Sequence, residues 1–166
     1  MIINLTGDGK GKTTSAFGTS LRAIKNYNIL IIQFMKKESS EAKVLSKFEN
    51  VNTMCFGLDE FYFPDKNRKE YKEVIKKGWN KFKEEKENYN FIVLDEINVV
   101  TDYGLIHPEE IVDQIKFFKK SKEKHIIITG RNSPKILKDI SDTISEINEI
   151  KHHYQFTETQ IKGIDK

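Results

Sequence analysis

A single cysteine, Cys55, among 166 residues excludes an internal disulfide, and it also excludes a zinc site built from cysteine pairs. Long hydrophobic runs are missing too, since none approaches the ~18–20 residues that a membrane-spanning helix needs. The opening MIINLTGDGK lacks the charged and apolar regions of a signal peptide, so the expectation is a soluble, cytoplasmic protein with no membrane partner. Arginine is confined to Arg22, Arg68 and Arg131, and the net charge of +3 is spread over many lysines. Nucleic-acid binders usually concentrate basic residues on one face, so no nucleic-acid partner is expected. What is present is 37% hydrophobic and 32% charged residues, enough Ile, Val, Leu and Phe to build a core, which excludes disorder as the main state. At this length residues 1–166 make one domain rather than two.

The apolar segments alternate between two kinds. Ile2 to Leu5 is a short β-type run that ends in the glycine-rich segment Thr6 to Gly11. After it, Ala16, Phe17, Ser20, Leu21 and Ile24 recur at helical spacing up to a turn at Asn26. Ile29 to Phe34 is almost continuously apolar, the pattern of a strand covered on both faces in a parallel sheet. A short helix near Ala42 to Phe48 precedes a strand from Val51 to Phe56, and Gly57 to Asp65 reads as a loop dense in aromatics. From Asn67 to Glu87 the stripe Tyr71, Val74, Ile75, Trp79 and Phe82 predicts a helix with Trp79 in the core. Phe91 to Leu94 and His125 to Ile128 are further buried strands, separated by a helix that begins at Pro108. A short helix from Pro134 to Ile140, a strand from Thr143 to Ile147 and an ambiguous tail from His152 to Ile164 complete the chain. Strands alternating with helices predict an α/β fold, a mainly parallel sheet with helices on both faces.

In such sheets ligands sit at the carboxyl ends of the strands, which directs attention to the polar clusters there. Thr6, Gly7, Asp8, Gly9, Lys10, Gly11, Lys12, Thr13 and Thr14 form a phosphate-binding loop between a strand and a helix. Its glycines let backbone N–H groups turn toward phosphate oxygens, Lys12 adds a cation, and Thr13 offers a hydroxyl to Mg²⁺. The usual pattern has glycine where Thr6 stands. Asp95 and Glu96, at the end of FIVLDE, are candidates to hold Mg²⁺ or Mn²⁺ opposite that loop. Thr129-Gly130-Arg131 brings a guanidinium suited to phosphate, and Lys36, after the second strand, is a further candidate for nucleotide contact. Phe61, Tyr62 and Phe63 are consecutive aromatics in one loop, and either line a cavity or form a satellite core. His152 and His153, as neighbours on an extended chain, point to opposite faces and are not expected to share a metal.

Taken in order, TGDGKGKTTSAFG, QFMK, FGLDEFYF, IVLDE, IIITGR, SDTISE, IKHH and QIKGID resemble the P-loop class of ATP:corrinoid adenosyltransferases from Leu5 nearly to the C-terminus. The resemblance implies a P-loop, RecA-like fold and an enzyme whose substrates are ATP and a corrinoid. Co(I) of the reduced corrinoid attacks the 5′ carbon of ATP and the whole triphosphate leaves, with the nucleotide lying along the loop in the reverse of the usual sense. It further implies that Lys12 and Arg131 stabilise the departing triphosphate. Phe61 and Phe63 lie beneath the corrin ring and displace its lower axial ligand, although the usual second aromatic is tryptophan. A flavodoxin or reduced flavin as electron donor and a homodimer also follow from the resemblance. In longer relatives a segment ahead of the first strand covers the site, whereas here Met1 stands directly before that strand. The same motifs leave two other readings open: a RecA-like ATP-hydrolysing enzyme in which Glu96 orients water, and a non-catalytic carrier of adenosylcobalamin.

Overall fold

A computed structural model describes residues 1–153 together with 156, 161, 163 and 164. The chain alternates β1 (Ile2–Thr6), α1 (Lys12–Ala23), β2 (Ile29–Phe34), α2 (Ser40–Leu45), β3 (Val51–Phe56) and α3 (Pro64–Glu85). It continues with β4 (Phe91–Asp95), α4 (Ile97–Asp102), α5 (Pro108–Lys120), β5 (His125–Thr129), α6 (Lys135–Ile140) and β6 (Thr143–Glu146). The six strands form one sheet in the order β3-β2-β4-β5-β1-β6, and each neighbouring pair is parallel. This is the P-loop, RecA-like α/β arrangement, with one strand, β5, between the strand that feeds the glycine-rich loop and the strand that ends in Asp95.

The continuous apolar runs have a direct structural cause. Successive residues of a strand face opposite sides. Leu30, Ile32 and Phe34 therefore join Ile92, Leu94, Ile126 and Ile128 in a core closed by α3 to α6. Ile29 and Ile31 join Val93 and Ile127 in a second core under α1 and α2. Trp79 is buried as expected, and its indole N–H donates to the Glu110 carboxylate. No helix among the described residues is long and apolar enough to cross a membrane.

Helix α3 presses on the sheet at Gly78, where a Cβ would stand 2.6 Å from the Phe56 ring and 3.0 Å from that of Phe34. Gly78→Ala gains helix propensity but overpacks a close-packed interface, so the net expectation is a loss of ~1–3 kcal/mol. Urea unfolding measures it, and an unchanged midpoint would mean that α3 withdraws from the sheet without cost.

Several boundaries differ from expectation, each for a local reason. Helix α3 begins at Pro64 rather than Asn67, with Phe63 as its extended N-cap and a break at Asn67, φ −132°. The buried Asn67 side chain accounts for the break, because it accepts from the Phe63 N–H at 2.8 Å and donates to the Phe61 carbonyl at 2.9 Å. Helix α2 begins two residues early, capped by the Ser39 hydroxyl. Helix α4 has no clear helical stripe in INVVTD, and it starts because Glu96 adopts the left-handed conformation, φ 64°. Strand β6 is an edge strand with all four residues exposed, so nothing in its burial extends it to Ile147. Of the expected tail from His152 to Ile164, and of the motif QIKGID, much lies outside the described residues.

Candidate active site

At the carboxyl edge of the sheet opens a cavity of about 900 Å³. Its floor is the glycine-rich loop, residues 8–14, and its opposite wall is the aromatic loop from Leu58 to Tyr62. Lys36, Glu96 and Arg131 reach the cavity between them. Thr6, Gly7, Asp95 and Phe63 do not line it.

The loop takes its shape from positive-φ glycines, Gly7 at 97° and Gly11 at 117°, conformations that glycine adopts without a Cβ clash. Gly7 and Gly9 also meet a second demand. The chain after β6 crosses directly over them, so a Cβ on Gly7 would stand 2.4 Å from the Ile147 carbonyl oxygen and one on Gly9 2.8 Å from that of Asn148. Gly9 donates its N–H to the Ile147 carbonyl at 2.7 Å, and Ile147 donates to the Thr6 carbonyl at 2.8 Å. Thr6 is buried, and its hydroxyl accepts from the Ser133 N–H. It holds the root of the loop and does not face the cavity. Lys12 lies along the loop, its Nζ donating to the Gly9 carbonyl at 2.7 Å. Burial, and then the nearby Arg131 charge, lower its pKa from the ordinary lysine value.

Behind the loop sits Asp95, 0% exposed. Strand register brings Gln33 opposite it. Its Oδ1 accepts from the hydroxyls of Thr13 (2.8 Å) and Thr129 (2.7 Å), and its Oδ2 accepts from Gln33 Nε2 and Lys36 Nζ, both at 2.9 Å. Burial alone would raise its pKa, but the Lys36 charge and these donors outweigh burial and hold the carboxyl below the usual range. Glu96 goes the other way, raised by burial and by the Asp95 charge beside it. The two adjacent acids therefore divide into a carboxylate held ionised and one more ready to hold a proton.

Arg131 stands at the rim, ion-paired with Asp8 at 3.6 Å and donating to its carbonyl at 3.4 Å. The aromatic loop is divided. Phe61, 79% exposed, lines the cavity; Tyr62 stacks on Tyr103 at 4.6 Å; Phe63, 48% exposed, stands at the start of α3 under the Lys66 ammonium. Tyr103, Glu149 and His152 line the same cavity, and sequence reasoning missed them in that role. The expectation that His152 and His153 point apart is corrected: their rings stack at 4.7 Å, because the chain turns at His153 and is not extended there. Among the described residues no three or more His, Cys, Asp or Glu side chains gather as a metal site.

The family model described as ATP:corrinoid adenosyltransferase BtuR/CobO/CobP matches residues 1–165. An uncharacterized protein of Nostoc sp. (strain PCC 7120) is 32% identical over 177 residues, covering 96% of this chain and 46% of its own length. A corrinoid adenosyltransferase of Sinorhizobium sp is 31% identical, covering 93% of this chain and 75% of its own. The corrinoid adenosyltransferase of Escherichia coli (strain K12) is 29% identical, with 99% and 85% covered. The chain thus spans about half the length of the Nostoc relative and most of the length of the two adenosyltransferases.

Proposed function

The chain belongs to the ATP:corrinoid adenosyltransferase BtuR/CobO/CobP family, and on that premise we propose that it transfers the 5′-deoxyadenosyl group of ATP to the cobalt of a reduced corrinoid, cob(I)alamin or cobinamide, and releases tripolyphosphate. The observation that carries this reading is that one cavity joins a cationic phosphate loop to an aromatic wall. The triphosphate of a nucleotide needs only the first; the flat apolar face of a corrin ring uses the second.

In this reaction the electron pair of Co(I) forms the cobalt–carbon bond at C5′. The C5′–oxygen bond breaks, and its pair leaves with the triphosphate. Cobalt is the nucleophile, so the protein's part is to hold the two reactants and to stabilise the charge that grows on the leaving group. The proposal gives that role to Lys12, at the loop, and to Arg131, at the rim. Phe61 receives the lower face of the corrin. A flavodoxin-type protein or reduced flavin as electron donor, and a homodimer, belong to the same proposal.

Mg²⁺ or Mn²⁺ fits the hard-oxygen set made by the Thr13 hydroxyl and the carboxylates of Asp95 and Glu96. When bound it supplies positive charge to the triphosphate. So few protein acids would leave positions open for water and phosphate oxygens, which suits entry of the cation together with the nucleotide. Asp95→Asn removes one formal charge from that set and should raise the Mg²⁺ concentration for half-maximal rate ~10-fold. An unchanged Mg²⁺ titration would shift the role to Glu96.

The test of the reaction is incubation with ATP, Mg²⁺ and chemically reduced cobalamin, followed by visible spectrum and by analysis of the phosphate products. The expected result is conversion of the corrinoid spectrum with one tripolyphosphate per turnover, over more turnovers than one per chain. ADP and phosphate with an unchanged corrinoid would instead support ATP hydrolysis, and a single equivalent per chain a carrier.

A further inference from the structure

Lys36 is held unusually firmly for a lysine at a cavity. β2 ends at Phe34, and Met35 then takes the left-handed conformation, φ 63°, which is costly for a side-chain-bearing residue and persists only where the surroundings impose it. Met35 donates its N–H to the Phe56 carbonyl at 2.9 Å. The neighbouring chain passes so close that a Cβ on Gly57 would stand 2.3 Å from the Lys36 backbone nitrogen. This double constraint turns the side chain back over the sheet edge, where its Nζ meets three oxygens from three places. They are Asp95 Oδ2 at 2.9 Å, Thr13 Oγ1 at 3.2 Å and Glu96 Oε1 at 3.9 Å.

Those three oxygens are the same hydroxyl and carboxylates that suit the divalent cation. The Lys36 side chain, 32% exposed toward the cavity, neutralises a carboxylate with no exposure of its own, and a buried unpaired charge would be costly. We infer that Lys36 is a tethered cation that competes with the divalent metal for the Thr13–Asp95–Glu96 oxygens and yields them when a polyphosphate offers its ammonium another anion. Metal affinity is then low in the resting protein and rises with the nucleotide, and by linkage the metal raises polyphosphate affinity equally. The inference rests on the proposed nucleotide site, and deepens it by making Lys36 the residue that ties metal entry to the nucleotide.

The test counts free Mn²⁺ by electron paramagnetic resonance with no nucleotide present. Lys36→Met keeps the aliphatic stem and removes the charge, and should bind Mn²⁺ at least ~10-fold more tightly than the unmodified protein. Adding Thr13→Val to that variant should abolish the gain. Unchanged or weaker Mn²⁺ binding by Lys36→Met overturns the inference, and so does a gain that survives Thr13→Val, because the ion then sits elsewhere. The unmodified protein gives a second measurement that does not depend on the variants folding. Saturating Mn²⁺ should release the Lys36 amine and speed its acetylation by acetic anhydride severalfold, read by peptide mass spectrometry, whereas an unchanged rate overturns the competition. Retention of labelled ATP with Mn²⁺ in equilibrium dialysis tests the nucleotide site separately, so loss of that reading is distinguished from failure of the Lys36 inference.

Discussion

Lys12→Ala should lower the specificity constant for ATP by ~10²-fold, with losses in both affinity and turnover. Its ammonium is nearly buried against the loop, where burial and Arg131 already disfavour the charge. An incoming triphosphate relieves that cost, so the interaction is stronger than that of an exposed lysine. The same charge faces the phosphate chain as negative charge develops on the leaving oxygen, which is why turnover falls along with affinity. Labelled-ATP dialysis and steady-state rates separate the two losses. Near-normal activity in a folded variant would refute the assignment of residues 6–14 as the phosphate loop.

Lys12 also illustrates what the sequence made legible. A strand, a glycine-rich turn and a helix in that order are a local pattern, and the structure forms all three at the expected place. The buried strands were equally plain, because a strand covered on both faces has no polar side to hide its run of Ile, Val and Leu. Other features depended on contacts between distant segments, which no local pattern records. The need for glycine at 7 and 9 comes partly from Ile147 and Asn148. The four donors on Asp95 come from α1, β2, β5 and the turn after β2. Gln33 was visible as a polar residue in an apolar strand, a signal that can be read as a buried partner for a strand-end acid. Helix α4 was not visible, since INVVTD is as β-prone as the strands and its start depends on one backbone conformation at Glu96.

The aromatic loop shows how the structure sharpens an expectation. By sequence Phe61 and Phe63 are equivalent candidates for the corrin platform. In the fold they are not, because the Asn67 clamp that fixes both backbones leaves the Phe61 ring in the cavity and the Phe63 ring at the head of α3, outside its lining. Phe61→Ala should therefore lose ~10-fold or more of its activity when a flavodoxin-type or flavin donor must reduce Co(II), and much less when Co(I) is supplied chemically. The reason is that an apolar ring has no part in cleaving the C5′–oxygen bond. Its proposed work is to exclude the lower axial ligand, which raises the potential of the Co(II)/Co(I) couple toward what a biological donor reaches. Phe63→Ala should show the same pattern with a smaller loss. ATP affinity without corrinoid should stay unchanged in both variants. The ratio of the two activities is the decisive measurement: an equal fall in both assays would reduce Phe61 to a packing role, and no fall in either would remove this loop from the corrinoid site.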